Sequence, residues 1–144
     1  MRSVLLIEDA LDDQVLVQRL FNVNRVANPL VVFGTGEMAL NWLHGRNGFE
    51  TRPAGDMPLI VLLDLGLTGK DGLEVLRDFK ADTLTATIPV VIITGWDDPD
   101  EIIGRFAKEL GAVGLVRKPL EWKDFTQVLR HLNLVLEVRG GGAP

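Results

Sequence analysis

Five short apolar runs, at residues 4–7, 30–33, 59–63, 90–93 and 113–116, are each followed by a loop signal and then by a helix-like pattern. Within the runs, apolar residues follow one another instead of alternating with polar ones. A strand of that kind needs cover on both faces, which is how the strands of a parallel sheet flanked by helices read. The helical patterns between the runs fall at 12–24, 36–44, 71–82, 98–110 and 121–138. Five repeats of strand then helix predict an α/β fold: a five-stranded, mostly parallel sheet with helices on both faces. The length of 144 residues fits one domain of this design and leaves little room for a second.

Punctuation along the chain supports this division. Asp98 is suited to cap the fourth helix, with Pro99 at its first position, Glu101 three residues after the cap, and Gly111 just past its end. Gly45, Gly48, Pro53, Gly55 and Pro58 break any periodicity before the third strand, so that stretch reads as a long loop inside the domain. Residues 1–138 are expected to form the domain and residues 139–144 a flexible glycine-rich tail.

Composition narrows the function classes. There is no cysteine, which excludes thiolate nucleophiles, disulfides and Cys-ligated zinc and suits a cytoplasmic setting. A formal charge of −5 gives no electrostatic reason to seek nucleic acid. The first apolar run meets Glu8 and Asp9 far too early for a signal peptide or a membrane span.

In an open parallel sheet, ligands gather at the carboxyl ends of the strands. There the sequence places Glu8 and Asp9 after the first run, Asp64 after the third, Thr94 at the end of the fourth, and Arg117, Lys118 and Pro119 after the fifth. Taken singly, a strand-end acid caps the next helix, a strand-end threonine is a β-former, and a lysine before proline is solvated. Their joint placement, one set after each of four strands, is hard to obtain from caps alone. Carboxylates held close together repel and need a cation to stay ionised. An all-oxygen set favours Mg²⁺ or Mn²⁺ over zinc, and Mg²⁺ commonly shares its shell with phosphate oxygens. A phosphoryl group is then the natural guest, with Asp64 as a candidate acceptor, Lys118 as a neutralising charge and Thr94 as a hydrogen-bond donor.

Residues with this placement resemble the receiver domain of two-component response regulators, over about residues 2–136. The acidic pair is similar to Glu8-Asp9, the acceptor segment to Leu62-Leu63-Asp64-Leu65 followed by Lys70-Asp71-Gly72, the hydroxyl residue to Thr94 and the Lys-Pro pair to Lys118-Pro119. The resemblance implies a flavodoxin-like (βα)5 sheet of strand order 2-1-3-4-5. It implies direct Mg²⁺ or Mn²⁺ binding by Asp9, Asp64 and the Gly66 carbonyl, Glu8 acting through water, and a cis Lys118-Pro119 bond. The implied partner is a sensor histidine kinase that donates the phosphoryl group to Asp64. The long loop before the third strand and the phrase Asp64-Leu65-Gly66-Leu67 are similar to small single-domain regulators of bacterial phytochrome kinases. With no fused output module expected, signalling would pass through protein contacts, or the phosphoryl group would pass onward to a downstream phosphotransfer protein.

Two departures from the family pattern stand out. Thr68 replaces the usual proline after the acceptor, and Leu115 occupies the place of a Tyr or Phe that swings inward on activation, so an aromatic switch is not expected here. Gly66 and Trp96, two residues after Asp64 and Thr94, flank the expected approach of water to the phosphoryl group. The fifth helix, read as reaching Val138, carries more apolar surface than one buried stripe needs, which predicts a homodimer through the fourth helix, fifth strand and fifth helix. An aspartyl-nucleophile phosphatase is disfavoured because Gly66 stands where such enzymes place a second acid. A nucleotide or flavin carrier is disfavoured because Gly34-Thr35-Gly36 is too short a glycine signal.

Overall fold

In a computed structural model of the chain, describing residues 1–52, 56–67, 71–97 and 101–140, five parallel strands alternate with five helices. The strands are β1 (Val4–Ile7), β2 (Leu30–Phe33), β3 (Ile60–Asp64), β4 (Val90–Thr94) and β5 (Gly114–Arg117). The helices are α1 (Leu11–Val23), α2 (Gly36–His44), α3 (Gly72–Ala81), α4 (Ile102–Glu109) and α5 (Trp122–His131). The strands lie in the order β2-β1-β3-β4-β5, the flavodoxin-like order that the resemblance implied.

Continuous apolarity has its expected cause, because each face of the sheet is roofed. Leu5, Ile7, Val61, Leu63, Val90 and Ile92 point to one side, where Ala39 and Leu43 of α2, Val75, Leu76 and Phe79 of α3 and Ala107 of α4 cover them. Their neighbours Val4, Leu6, Ile60, Leu62, Val91 and Ile93 meet Val17 and Phe21 of α1 and Phe125 and Leu129 of α5 on the other. The central strands β1, β3 and β4 are buried at every position. Asp64 is therefore the last residue of a fully covered strand.

Two helices differ from the sequence expectation. The described part of α4 begins at Ile102, and Glu101, read above as a first-turn residue, precedes it with φ 57° and no side-chain cap. An L-residue in the left-handed region interrupts a right-handed helical run. Asp98 and Pro99, the expected cap and first position, lie outside the described residues, as do Thr68 and Lys70. Gly111 does close α4, at φ 107°, with its N–H donating to the Lys108 carbonyl.

The fifth helix stops at His131, seven residues short of Val138. Asn133 turns left-handed at φ 56°, its N–H donates to the Arg130 carbonyl, and the Leu134 N–H reaches back to Leu129 at 2.9 Å, a Schellman termination. From there the chain runs extended, antiparallel to residues 25–28. The Ala27 N–H donates to the Glu137 carbonyl at 2.7 Å, the Glu137 N–H to Asn28 Oδ1 at 2.6 Å and the Arg139 N–H to the Arg25 carbonyl at 2.7 Å, with Val26 bridging Val138. Leu132, Leu134 and Leu136 pack onto the α1/α5 core. The apolar surplus credited to the helix is thus largely consumed by the chain itself. Arg139 and Gly140, expected in a free tail, are both hydrogen-bonded to Arg25, and residues 141–144 lie outside the described residues.

Candidate functional site

The carboxyl ends of β1, β3 and β4 and the turn after β5 bring Glu8, Asp9, Asp64, Thr94 and Lys118 to one edge of the sheet. Register explains the convergence. Ile7 pairs with Leu63 and Asp64 with Ile93, so the acids that follow β1 and end β3 stand side by side. One oxygen from each of Glu8, Asp9 and Asp64 lies within 4.8 Å of the others.

Burial sets the electrostatics of this cluster. Glu8 and Asp64 are nearly inaccessible, at 1% and 4% exposure. Loss of hydration, reinforced by the adjacent Asp64 carboxylate, pushes the Glu8 carboxyl up to about 7 from an ordinary 4.5, although Lys118 and the Ala10 N–H oppose the rise. Lys118 supplies the counter-charge. Its Nζ lies 2.8 Å from Glu8 Oε1, 2.8 Å from Asp13 Oδ2 and 3.2 Å from Asp64 Oδ2. Burial disfavours its charge, but the hydrogen bonds to Asp13 and Glu8 and the nearby Asp64 charge outweigh this and hold the ammonium above its usual range.

Backbone contacts fix the parts. The Lys118 N–H donates to the Thr94 carbonyl at 2.8 Å, and the Lys118–Pro119 peptide is cis. The Gly66 N–H donates to Asp64 Oδ1 at 3.1 Å. Thr94 is buried, and its Oγ1 accepts from the Trp96 N–H at 3.0 Å, which leaves its own proton available to another acceptor. Trp96 itself is half exposed, at 49%. Leu115 lies on β5 opposite Ile92 and packs against the α2/α3/α4 core as an ordinary half-buried aliphatic side chain.

Three crowded carboxylates, two of them in contact with the Lys118 ammonium, with only oxygen donors among the described residues of the cluster, fit a hard divalent cation such as Mg²⁺ or Mn²⁺. Asp13 is the residue that sequence reasoning placed on a helix without a role. Its signal was an acid in the first helical turn just beyond the acidic pair, but its contact with Lys118 spans 105 residues of sequence and exists only in the folded chain.

Comparison with known proteins points the same way. The family described as the response regulator receiver domain matches residues 4–130. The response regulator Rcp1 of Synechocystis sp. is 33% identical over 131 residues, covering 91% of this chain and 86% of Rcp1. Among solved structures, the bacteriophytochrome response regulator RtBRR matches with a TM-score of 0.84 at 30% identity, over 100% of this chain and 85% of that one. The Mn²⁺-bound form of Rcp1 matches with a TM-score of 0.73 at 30% identity, over 96% of this chain and 100% of that one.

Proposed function

Because this chain belongs to the response regulator receiver family, and so receives its phosphoryl group from a kinase, we propose that Asp64 is the acceptor and that Glu8, Asp9, Thr94 and Lys118 serve its phosphorylation. The observation that carries the reading is the placement of Asp64 at the end of a buried strand, among two further acids and within 3.2 Å of an ammonium.

In the transfer step an Asp64 carboxylate oxygen attacks phosphorus in line with the donor's phosphohistidine P–N bond. An O–P bond forms, the P–N bond breaks, and the donor imidazole leaves with the electron pair and takes up a proton. Lys118 stands where it can donate to a phosphoryl oxygen, and the buried Thr94 hydroxyl can turn to donate to another. Asp9 and Asp64, with the Gly66 carbonyl and with Glu8 acting through water, would hold a divalent cation, which when bound would supply positive charge against the phosphoryl oxygens. The Gly66 N–H on Asp64 Oδ1 fixes the carboxylate plane.

The donor in this reading is a sensor histidine kinase of the bacterial phytochrome class, supported by the 30% identity to RtBRR across the whole chain. The protein acts in the cytoplasm as a phosphoacceptor that assists its own phosphotransfer and slow dephosphorylation rather than as an enzyme, and signals through protein contacts or passes the group to a downstream phosphotransfer protein. Self-association through α4, β5 and α5 belongs to the same reading. It rests on Ile102 and Phe106 of α4 and Val113 just before β5, exposed at 66%, 45% and 41%, because the leucines beyond His131 are packed onto the chain's own core. Among the described residues no helix is long and apolar enough to cross a membrane.

Incubation with Mg²⁺ and acetyl phosphate, followed by intact-mass measurement, tests the core of the proposal. One phosphoryl mass is expected on the wild type and none on Asp64→Asn or in excess chelator. Phosphorylation persisting in either arm would remove Asp64 or the metal from the mechanism.

A further inference from the structure

The Lys118 ammonium has three N–H donors and three carboxylate partners, of which two, Glu8 and Asp64, belong to the acidic cluster and the third, Asp13, does not. Glu8 and Asp64 must divide their oxygens between Lys118 and whatever enters the site. Asp13 has no such competing demand. It sits on the first turn of α1, with its side chain 36% exposed against 2% for Glu8 and 6% for Asp64, on the solvent side of the ammonium.

Both ends of this contact are anchored. The Lys118 backbone is tied to Thr94, and its stem runs past Gly95, whose missing Cβ would lie 3.8 Å from Lys118 Cβ and 3.9 Å from Cδ. The start of α1 is tied to the acidic pair by Gln14, whose Nε2 donates to the Glu8 carbonyl at 2.6 Å. The ammonium already touches Glu8 Oε1 and Asp64 Oδ2, and with the inner pair as its sole partners its whole charge would bind those oxygens, which a divalent cation needs. An outer carboxylate at 2.8 Å pulls the other way.

We propose that Asp13 is a positioning residue that draws the Lys118 ammonium toward the mouth of the acidic cluster, weakening its hold on the Glu8 and Asp64 oxygens it touches at 2.8 and 3.2 Å so that a divalent cation can take them, while keeping it within reach of an incoming phosphoryl group. For the phosphoryl step this rests on the reading of Asp64 as acceptor; for the cation step it stands on the contact geometry.

The test is a double-mutant cycle on metal binding, with Mn²⁺ titrated at constant ionic strength and free ion read from its EPR signal. Asp13→Asn is expected to weaken Mn²⁺ binding by roughly three- to tenfold in protein that retains Lys118. In a Lys118→Ala background the same substitution should change affinity by less than about twofold, since nothing remains to be held back. Lys118→Gln provides a second neutral background, and thermal melts followed by circular dichroism establish that each variant is folded. Equal weakening with and without Lys118 would make Asp13 a simple attractive charge and overturn the proposal, as would an unchanged affinity in Asp13→Asn. The phosphoryl mass on Asp64→Asn is read separately, so this proposal and the acceptor assignment can fail independently.

Discussion

Gly66 and Trp96 stand two residues beyond Asp64 and Thr94, and the lifetime of an aspartyl phosphate depends on how freely water reaches phosphorus in line. A Cβ at Gly66 would lie 3.7 Å from both Asp64 oxygens, so a side chain there adjoins the acceptor, and glycine offers nothing to orient water. Trp96 has bulk and is tied by its N–H to Thr94. The wild-type phosphoprotein is expected to decay slowly, Trp96→Ala to shorten its half-life by roughly three- to tenfold, and Gly66→Asn to shorten it further. Loss of radiolabel within seconds from the wild type, or no acceleration in Trp96→Ala, would contradict the screening argument. Glu8 makes a second residue-scale prediction. Its carboxyl binds a proton up to about 7 in the folded chain and 4.5 when unfolded, so its contribution to stability is full below 4.5 and lost as pH rises through 7. In chelator, the denaturant midpoint should fall across that window, and Glu8→Gln should flatten the slope. Added Mg²⁺, which competes with the proton, should stabilise more at the alkaline end. Glu8, Asp9, Asp64, Thr94 and Lys118 were legible because strand ends of a parallel sheet converge. Asp13 was not, because a helix residue reveals its partner only when the crossing geometry is known.

At the scale of elements, the strands were the more legible. Val4–Ile7 and Leu30–Phe33 fall where the apolar runs put them, and the other three shift by one residue at one or both ends. The end of α5 at His131 departs from the apolar spacing for a physical reason. Heptad-like spacing links Trp122, Phe125, Leu129, Leu132 and Leu136 and continues through Asn133, a residue that tolerates the left-handed conformation which ends the helix. The contrary signal was the two-residue alternation of Leu134 and Leu136 with Val135 and Glu137, the pattern of an extended segment with one covered side. Truncation after Asn133 would expose Leu134 and Leu136 and break the hydrogen bonds to residues 25–28. The expected loss is about 3 kcal/mol, a fall of roughly 6–12 °C in melting temperature. Asn28→Ala should reproduce part of it, since this buried side chain joins the Arg2 carbonyl at 2.7 Å to the Glu137 N–H. A truncated chain that melts within a degree or two of the intact one would mean that the segment is merely laid on the surface.

For the whole molecule, the question is what α4 and β5 present to a partner. Ile102 and Phe106, one turn apart on α4, leave an apolar strip on the helix through which self-association is proposed, and Val113 is exposed separately just before β5. Sedimentation at high protein concentration, with and without phosphodonor, should reveal a dimer, and Phe106→Asp should return it to the monomer. Monomeric behaviour under every condition would leave the strip for another protein. The strap from Leu134 to Gly140 has a practical corollary. It carries the chain to the loop that enters β2, at the amino ends of the strands, whereas the acidic cluster lies at their carboxyl ends, roughly 15 Å away across the sheet. A fluorophore, affinity handle or surface linker joined beyond Gly140 would hang from the far rim. An immobilised molecule would then offer its acidic face to the solution, an orientation suited to measuring kinase capture without obstruction by the support.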